Sequence, residues 1–364
     1  MSTGRKKILY GLQGDGRGHL SRAEVLIRQI SKRHDVLIFT SPSGEEKIFP
    51  ELKTLPGVSV SGEIFSPKLY FGKNKVNIFK TARTGLIDFF RSGIASLARG
   101  LRVYAAFRPD IIISDLEPCS ARLAFLTGTP FLTLDHQHIL TNCRLQHRPE
   151  LRRDYFLARF MVKWLIPLSK LNIITTFFFP PVKRNGTYLF PPLIRRQILG
   201  SRKKVSEGDF TLVYHTTPSA FAMIDRGLKE ASPEKFVVYN MGRQYRDGNI
   251  IYRRVSEKQF IDDLRSCKAV ICNGGHTLIC ESIFWGKPVL SIPLSNNFEQ
   301  IINSLYLQKL GYGRYCGKFS GEAIKSFLKN YQRFRSEVKG IDFCGNKEIT
   351  QFVLNLIESS GIPS

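Results

Sequence analysis

The stretch AVICNGGHTLICESIFWGKPVLSIPLSNNFEQIINSLYLQKLG, Ala269 to Gly311, decides the fold. It opens on Ala269, Val270, Ile271 and Cys272, an apolar, β-prone run short enough for a buried strand. The run breaks at Gly274-Gly275. From His276 the apolar spacing becomes helical, through Leu278, Ile279, Ile283 and Trp285, until Gly286-Lys287-Pro288 stops it. A strand that feeds a helix through two glycines presents bare backbone N–H groups at the positive end of the helix, and that combination seats phosphate. Close packing of helix on strand is the other use of such glycines. Glu281, about one and a half turns into the helix, is placed to reach the hydroxyls of a ribose. A second strand, Val289 to Pro293, leads to a polar loop where Glu299 and Gln300 are placed for sugar hydroxyls. Taken in order, strand, glycines, helix, Glu, strand and Glu-Gln describe a nucleotide-sugar site.

The segment resembles the donor half of GT-B glycosyltransferases. The likeness is to bacterial enzymes that move a sugar from UDP onto a lipid carrier, such as the N-acetylglucosaminyl transferase of peptidoglycan synthesis, or onto an aglycone. The resemblance implies that Gly274 and Gly275 hold the diphosphate, Glu281 the ribose, and Glu299 with Gln300 the sugar. Many aglycone transferases carry a phosphate-binding His at the strand end, where this chain has Asn273. His276, with Thr277 beside it at the helix start, is the substitute donor. The fold implied is α/β of the GT-B type, two Rossmann-like doubly wound parallel-sheet domains facing a cleft. The UDP-sugar is a donor substrate, and neither a cofactor nor a metal is implied.

At 364 residues the chain suits two domains, and a hydrophobic fraction of 43% is that of a folded protein. Seven cysteines sit mostly in apolar runs and form no CxxC pair, which fits a reducing compartment and gives no zinc framework. Met1 to Lys7 is too polar for a signal peptide. Phe160 to Leu168 and Leu171 to Val182 are interrupted by Lys163 or Pro180 and are too short to span a bilayer. The outlier is a net charge of +24. Ser66 to Pro109 holds nine Lys or Arg against one acid, and Arg144 to Lys204 fourteen against two, so the basic surface belongs to the first half. Such a surface suits nucleic acid or an anionic membrane, unless the charges simply keep the protein soluble. The chain shows no recognised nucleic-acid motif, and its aromatics lie in apolar runs rather than interleaved with basic residues on a strand. The expectation is therefore a cytoplasmic protein, peripheral on the inner face of the membrane, and the resemblance to lipid-carrier transferases implies a role in cell-envelope or glycolipid synthesis.

Read in order, the chain opens with a strand at Ile8 to Gly11, then the loop LQGDGRG, Leu12 to Gly18, and a helix from His19 or Leu20 to Lys32. The glycine spacing, followed at once by His, is not the dinucleotide fingerprint. It is similar to the GxGxGH loop of the acceptor half of GT-B transferases, which implies close approach of Gly16 and Gly18 to the donor. Strands follow at Asp35 to Thr40 and Val58 to Gly62, then a long amphipathic helix over Asn77 to Phe107 with aromatic and basic residues suited to a bilayer surface. Strands at Ile111 to Ser114 and Phe131 to Leu134 end in Asp115 and in Asp135-His136-Gln137-His138. A helix at Glu150 to Ser169 and a strand at Asn172 to Phe179 close the first half. Tyr188 to Leu199 resembles the proline-containing crossover of GT-B chains. The expected domains are thus 1–190 for the acceptor, 191–345 for the nucleotide sugar, and a C-terminal helix, 346–364, packing back on the first. The second half alternates again: strands Phe210 to His215, Phe236 to Tyr239 and Ile250 to Val255, helices Ala220 to Glu230 and Glu257 to Ser266.

Transfer with inversion needs a base for the acceptor hydroxyl and positive electrostatics for the departing diphosphate. His19, after a glycine loop, is the candidate base, and a helix cap or diphosphate donor is its other reading. Asp115 is similar in placement to the Asp that orients the base in aglycone transferases, with a helix cap near Ser120 as the alternative. Asp135, His136 and His138 suit an acceptor pocket. Two His at i and i+2 could also begin a metal site, but no third ligand stands at a convincing spacing and there is no DxD triplet. His215 and Thr216 are placed for the diphosphate or base, and Arg243 for the uracil ring. The competing readings are a UDP-sugar 2-epimerase, which would need an Arg-Pro-Glu near the first strand that this chain lacks, and a basic nucleic-acid-binding protein.

Overall fold

In the computed structural model the described residues are 4–14, 16–62, 64, 84, 93–167, 169–359 and 361–362. They form two compact units. One takes the chain up to Arg195 together with the residues from Cys344 onward, and the other is Arg196–Phe343.

The first unit is built on seven parallel strands, β1 (Lys7–Leu12), β2 (Asp35–Phe39), β3 (Val58–Ser61), β4 (Ile111–Asp115), β5 (Phe131–Asp135), β6 (Leu171–Thr175) and β7 (Thr187–Phe190). Their order is β3-β2-β1-β4-β5-β6-β7. Side chains of a strand alternate between faces, and both faces here are covered. Ile8, Tyr10 and Leu12 of β1 enter one core, with Leu20, Ala23 and Ile27 of helix α1 (Arg17–Ile30). Leu9 enters the other, with Phe39, Ile112 and Leu123. That second core is closed by α2 (Ile94–Phe107) and α3 (Pro118–Thr127). The expected long helix starting at Asn77 is seen only as α2, since residues 77–92 lie outside the described residues apart from residue 84. A further helix, α4 (Arg152–Leu165), precedes β6.

Several boundaries differ from the sequence reading, and the largest differences lie around β6. β6 stops at Thr175, short of Phe179, because the chain turns out of the sheet ahead of Pro180 and Pro181. Tyr188 to Phe190, read as part of a crossover, is β7, paired with β6 from Asn172↔Thr187 to Thr175↔Phe190. The C-terminal helix Asn346–Glu358 buries Ile349, Val353, Leu354 and Ile357 in the β1/α1 core. Lys6 Nζ donates to the Ile357 carbonyl at 2.5 Å, and Asn346 exchanges hydrogen bonds with the backbone of Ile194 at 2.8 and 2.7 Å.

The second unit has β8 (Phe210–Tyr214), β9 (Lys235–Tyr239), β10 (Tyr245–Asp247), β11 (Ile250–Arg253), β12 (Ala269–Cys272), β13 (Val289–Ser291) and β14 (Gly313–Tyr315), ordered β10-β11-β9-β8-β12-β13-β14. All pairs are parallel except β10 with β11. Its helices include α5 (Phe221–Glu230), α6 (Glu257–Ser266), α7 (His276–Phe284) and α8 (Phe298–Lys309). Among the described residues no helix is long and apolar enough to cross a membrane.

Candidate active site

Each sheet reverses its strand order once, between β1 and β4 in the first unit and between β8 and β12 in the second. At such a reversal the flanking connections diverge and leave a crevice at the carboxyl ends of the strands, where ligands of open α/β sheets bind. The polar residues singled out from the sequence lie at or beside these two places, one set in each unit.

In the first unit β1 runs into a turn at Gly14, where an added Cβ would lie 2.4 Å from Ser41 Oγ and 2.8 Å from Gly44 Cα. Gly16 follows with φ 93°, and α1 begins at Arg17 with no side-chain cap. His19 therefore stands inside the first turn of the helix and is not its cap. Its Nδ1 lies 2.7 Å from Oδ1 of Asp115, the last residue of β4. Arg22, one turn along α1, donates from Nη2 to the same Oδ1 at 2.7 Å and from Nε to Oδ2 at 3.3 Å, and its Nη2 is 3.0 Å from His19 Nδ1. A guanidinium N–H and a protonated Nδ1 are both donors, so Asp115 Oδ1 is the acceptor they share. That leaves Nε2 as the ring nitrogen able to take a proton. The Asp115 side chain is 0% exposed and that of Arg22 4%, while His19 keeps 12%.

The capping role open to Asp115 belongs to Glu117. Its carboxyl accepts the N–H groups of Cys119 at 2.8 Å and Ser120 at 2.5 Å at the start of α3. Burial pushes that carboxyl up to about 7, against the pull of the two N–H groups.

Asp135, His136 and His138 follow along the same sheet edge, but the rings serve different partners. β5 ends at Asp135, so the two His stand in a turn and the i, i+2 parity of a strand no longer governs them. His138 Nδ1 is 2.6 Å from Asp135 Oδ2, and the His138 backbone N–H donates to Oδ1 at 2.8 Å. His136 Nδ1 instead donates to the Thr175 carbonyl at 2.9 Å, and its ring stands edge-on to Phe178. Burial acts to raise the Asp135 carboxyl, but His138 and, less strongly, the nearby Arg22 outweigh it and hold the group below the usual carboxylate range. Among the described residues no group of three possible ligands is placed to hold a metal ion.

In the second unit Asn273 ties the strand ends together. Its Oδ1 accepts the Thr216 N–H at 2.8 Å and its Nδ2 donates to the Ile292 carbonyl at 3.0 Å. Its side chain thus ties together the loops after β8, β12 and β13, at the residue the sequence reading placed in the nucleotide-sugar site. Gly274 has φ 81°, and a Cβ there would meet the Gln300 carbonyl and Ser304 Oγ, each at 2.7 Å. Gly275, by contrast, would present a Cβ to open space and leads into α7 with no side-chain cap. The first N–H groups of that helix, those of His276 and Thr277 among them, receive no capping side chain from Gly275.

His276, the substitute phosphate donor expected from the sequence, is 5% exposed, with Nε2 3.4 Å from Cys280 Sγ one turn along α7. Glu281 lies on α7, 3% exposed. Glu299 and Gln300 occupy the first turn of α8 rather than a loop, because Asn297 caps that helix by accepting the Gln300 N–H at 3.2 Å. Gln300 Oε1 in turn accepts the Leu294 N–H at 3.0 Å. His215 is buried, and burial lowers its imidazole to about 4, leaving it neutral near pH 7. Arg243 is exposed and lies 4.2 Å over the ring of Phe221 at the start of α5.

The sequence profile of glycosyl transferase family 1 matches residues 6–332. The chain belongs to that family. A protein of Methanosarcina mazei described as an uncharacterized glycosyltransferase is 32% identical over 384 residues, with 92% of each chain covered. Among solved structures, a UDP-glucose:anthocyanidin 3-O-glucosyltransferase in complex with UDP superposes with a TM-score of 0.69 at 14% identity, covering 99% of this chain and 100% of the other. A UDP-glucosyltransferase from Polygonum tinctorium gives 0.66 at 15% identity, covering 98% and 100%. These likenesses show the GT-B fold of this glycosyltransferase.

The sequence reading missed Arg22 and the capping role of Glu117. Arg22 carried a signal, since it is three residues from His19 and so shares its helix face, and it adjoins the apolar stripe of Leu20, Ala23 and Leu26. A lone cation beside such a stripe calls for a buried carboxylate. Glu117 stands immediately before Pro118, the first residue of α3, which is the sequence mark of a cap.

Proposed function

We propose that this glycosyltransferase moves a sugar, of the N-acetylglucosamine or glucose type, from UDP to a hydroxyl of a lipid-linked or aglycone acceptor, with inversion. The observation that carries the reading is the buried Arg22–Asp115–His19 cluster at the strand-order reversal of the first sheet. Asp115 orients His19 through Nδ1, and Nε2 takes the acceptor proton as the acceptor oxygen attacks the anomeric carbon from the face opposite the leaving group. The bond from that carbon to the diphosphate oxygen breaks, and UDP leaves with the electron pair.

In this reading the second unit holds the donor. The backbone at Gly274 and Gly275 and the uncapped start of α7 receive the diphosphate, Glu281 the ribose, and Glu299 with Gln300 the sugar, while His215, Thr216 and Arg243 stand by the diphosphate and base. Backbone N–H groups and the helix dipole take the place of a metal ion. The named neighbour that binds UDP supports the choice of nucleotide. We further read the basic first half as bringing the protein to the inner, anionic face of a membrane. The donor reading is tested by the melting temperature of the purified protein with a panel of nucleotide sugars. UDP-sugars should raise it and GDP-sugars should not, and transfer should survive EDTA.

A further inference from the structure

Helix α4 is unusual in how little of it the fold uses, Val162 being its one fully buried residue. Arg152, Phe156, Arg159, Phe160 and Lys163 recur at intervals of three and four residues and so lie along one stripe. Phe156 is 68% exposed and Phe160 57%. The segment after β6 adds Phe179 and Val182, 56% and 43% exposed. It is tied to the chain ahead of α4 by the Arg144 N–H donating to the Pro181 carbonyl at 2.8 Å and the Lys183 N–H donating to the Asn142 carbonyl at 2.9 Å. Lys183 also brings charges together. Partial burial, and then the cations of Arg159, Lys163 and Arg144, hold its ammonium below the usual range. From Arg144 to Lys204 only Glu150 and Asp154 oppose this charge.

We propose that the exposed stripe of α4, with Phe179, Val182 and Lys183 beside it, is the docking face of this protein for an anionic lipid bilayer. Crowded cations with few carboxylates call for an anion, and phenyl rings without a polar tip call for a phase free of water. A bilayer of anionic lipids supplies headgroups and acyl chains in one surface, in the geometry of a helix lying in the interface. A nucleic acid would satisfy the cations alone, because its bases stack on rings presented by an open sheet or groove rather than on rings carried at helical spacing. The inference deepens the membrane reading above and rests on it.

The test is cosedimentation of the full chain with vesicles at about 0.1 M salt. Wild-type protein should bind phosphatidylglycerol–phosphatidylcholine vesicles and not vesicles of phosphatidylcholine alone. The pair Phe156→Ser and Phe160→Ser should lower the partition coefficient about tenfold, and the pair Lys163→Glu and Lys183→Glu by at least as much, with circular dichroism and melting temperature unchanged. If wild type binds anionic vesicles and both variants bind as tightly, this face is the wrong one although the membrane reading stands. If wild type binds neither vesicle, both ideas fail. If charge reversal abolishes binding, the Phe pair does not matter, and a single-stranded oligonucleotide is held more tightly than vesicles, the face belongs to nucleic acid and the proposal is overturned.

Discussion

Arg22 and Asp115 face each other across a two-point ion pair, Nη2 to Oδ1 at 2.7 Å and Nε to Oδ2 at 3.3 Å, with neither side chain open to water. The pair fixes the carboxylate that His19 leans on. Breaking it from one side leaves a buried charge with half its partners. Arg22→Met should therefore cost about 3–5 kcal/mol of stability. Adding Asp115→Asn removes the stranded charge and should return part of that loss, with a coupling on the order of 1–3 kcal/mol in a urea-denaturation cycle. Additive losses would show that the two residues do not act as a unit.

His19→Ala should slow sugar transfer by roughly 10²–10⁴-fold and leave the UDP-sugar dissociation constant unchanged. Asp115→Asn should cost less in rate, since the imidazole keeps its place in α1 and loses only its orienting acceptor. Calorimetric titration of UDP into both variants separates the roles. A donor affinity that falls in step with the rate would make His19 a diphosphate ligand, and the base would then be sought among Asp115, Glu117 and His138.

The two glycines ahead of α7 should respond differently to a methyl group. Gly274→Ala forces a Cβ onto a left-handed residue and into the Gln300 carbonyl, and should destabilise the protein by about 2 kcal/mol or more. Gly275→Ala meets open space at φ −65° and should leave the melting temperature alone. If diphosphate rests on that backbone, the second change should still weaken UDP binding, by about tenfold. Unaltered affinity in Gly275→Ala would move the diphosphate elsewhere.

Glu281→Gln should raise the UDP-sugar dissociation constant by about tenfold through loss of a charge-assisted hydrogen bond. The matching measurement is the same titration with a 2′-deoxyribose donor. That donor should bind wild type and variant alike if Glu281 serves the 2′-hydroxyl.

Glu117 predicts a pH dependence. Its carboxyl is raised from 4.5 to about 7 in the folded chain, so between those values the native state holds a proton that the unfolded state has released. Stability should therefore be fullest below about pH 4.5 and decline as pH rises through 7, by about 3 kcal/mol from this group. Glu117→Gln should flatten that slope in denaturant titrations across pH 5 to 8.

Strand-by-strand alternation of apolar runs with helical spacing was enough to read the two-sheet architecture, and the glycine turns located both switch-point loops. What escaped were elements too short to show a period, a cap that reads as a loop residue, and a partner far away in sequence. Three-residue β10 and β14 are too short to show a period of their own, whereas β11 reads as a strand. The direction of His276 is set by the packing of α7 on its sheet, and the helical setting of Glu299 by the Asn297 cap, one residue that also reads as an ordinary loop Asn. Arg22 was invisible as a ligand of Asp115 because 93 residues separate them.

The first core is finished by a segment that the ribosome delivers only after the whole second unit. Asn346 meets Ile194 across 152 positions of sequence, and Ile349, Val353, Leu354 and Ile357 close over β1 and α1. At about 5–20 residues per second, the nascent first sheet waits roughly eight to thirty seconds with that apolar flank uncovered. Until then the growing polypeptide offers holdase chaperones an apolar flank, and a chain cut short within the second unit should be aggregation-prone.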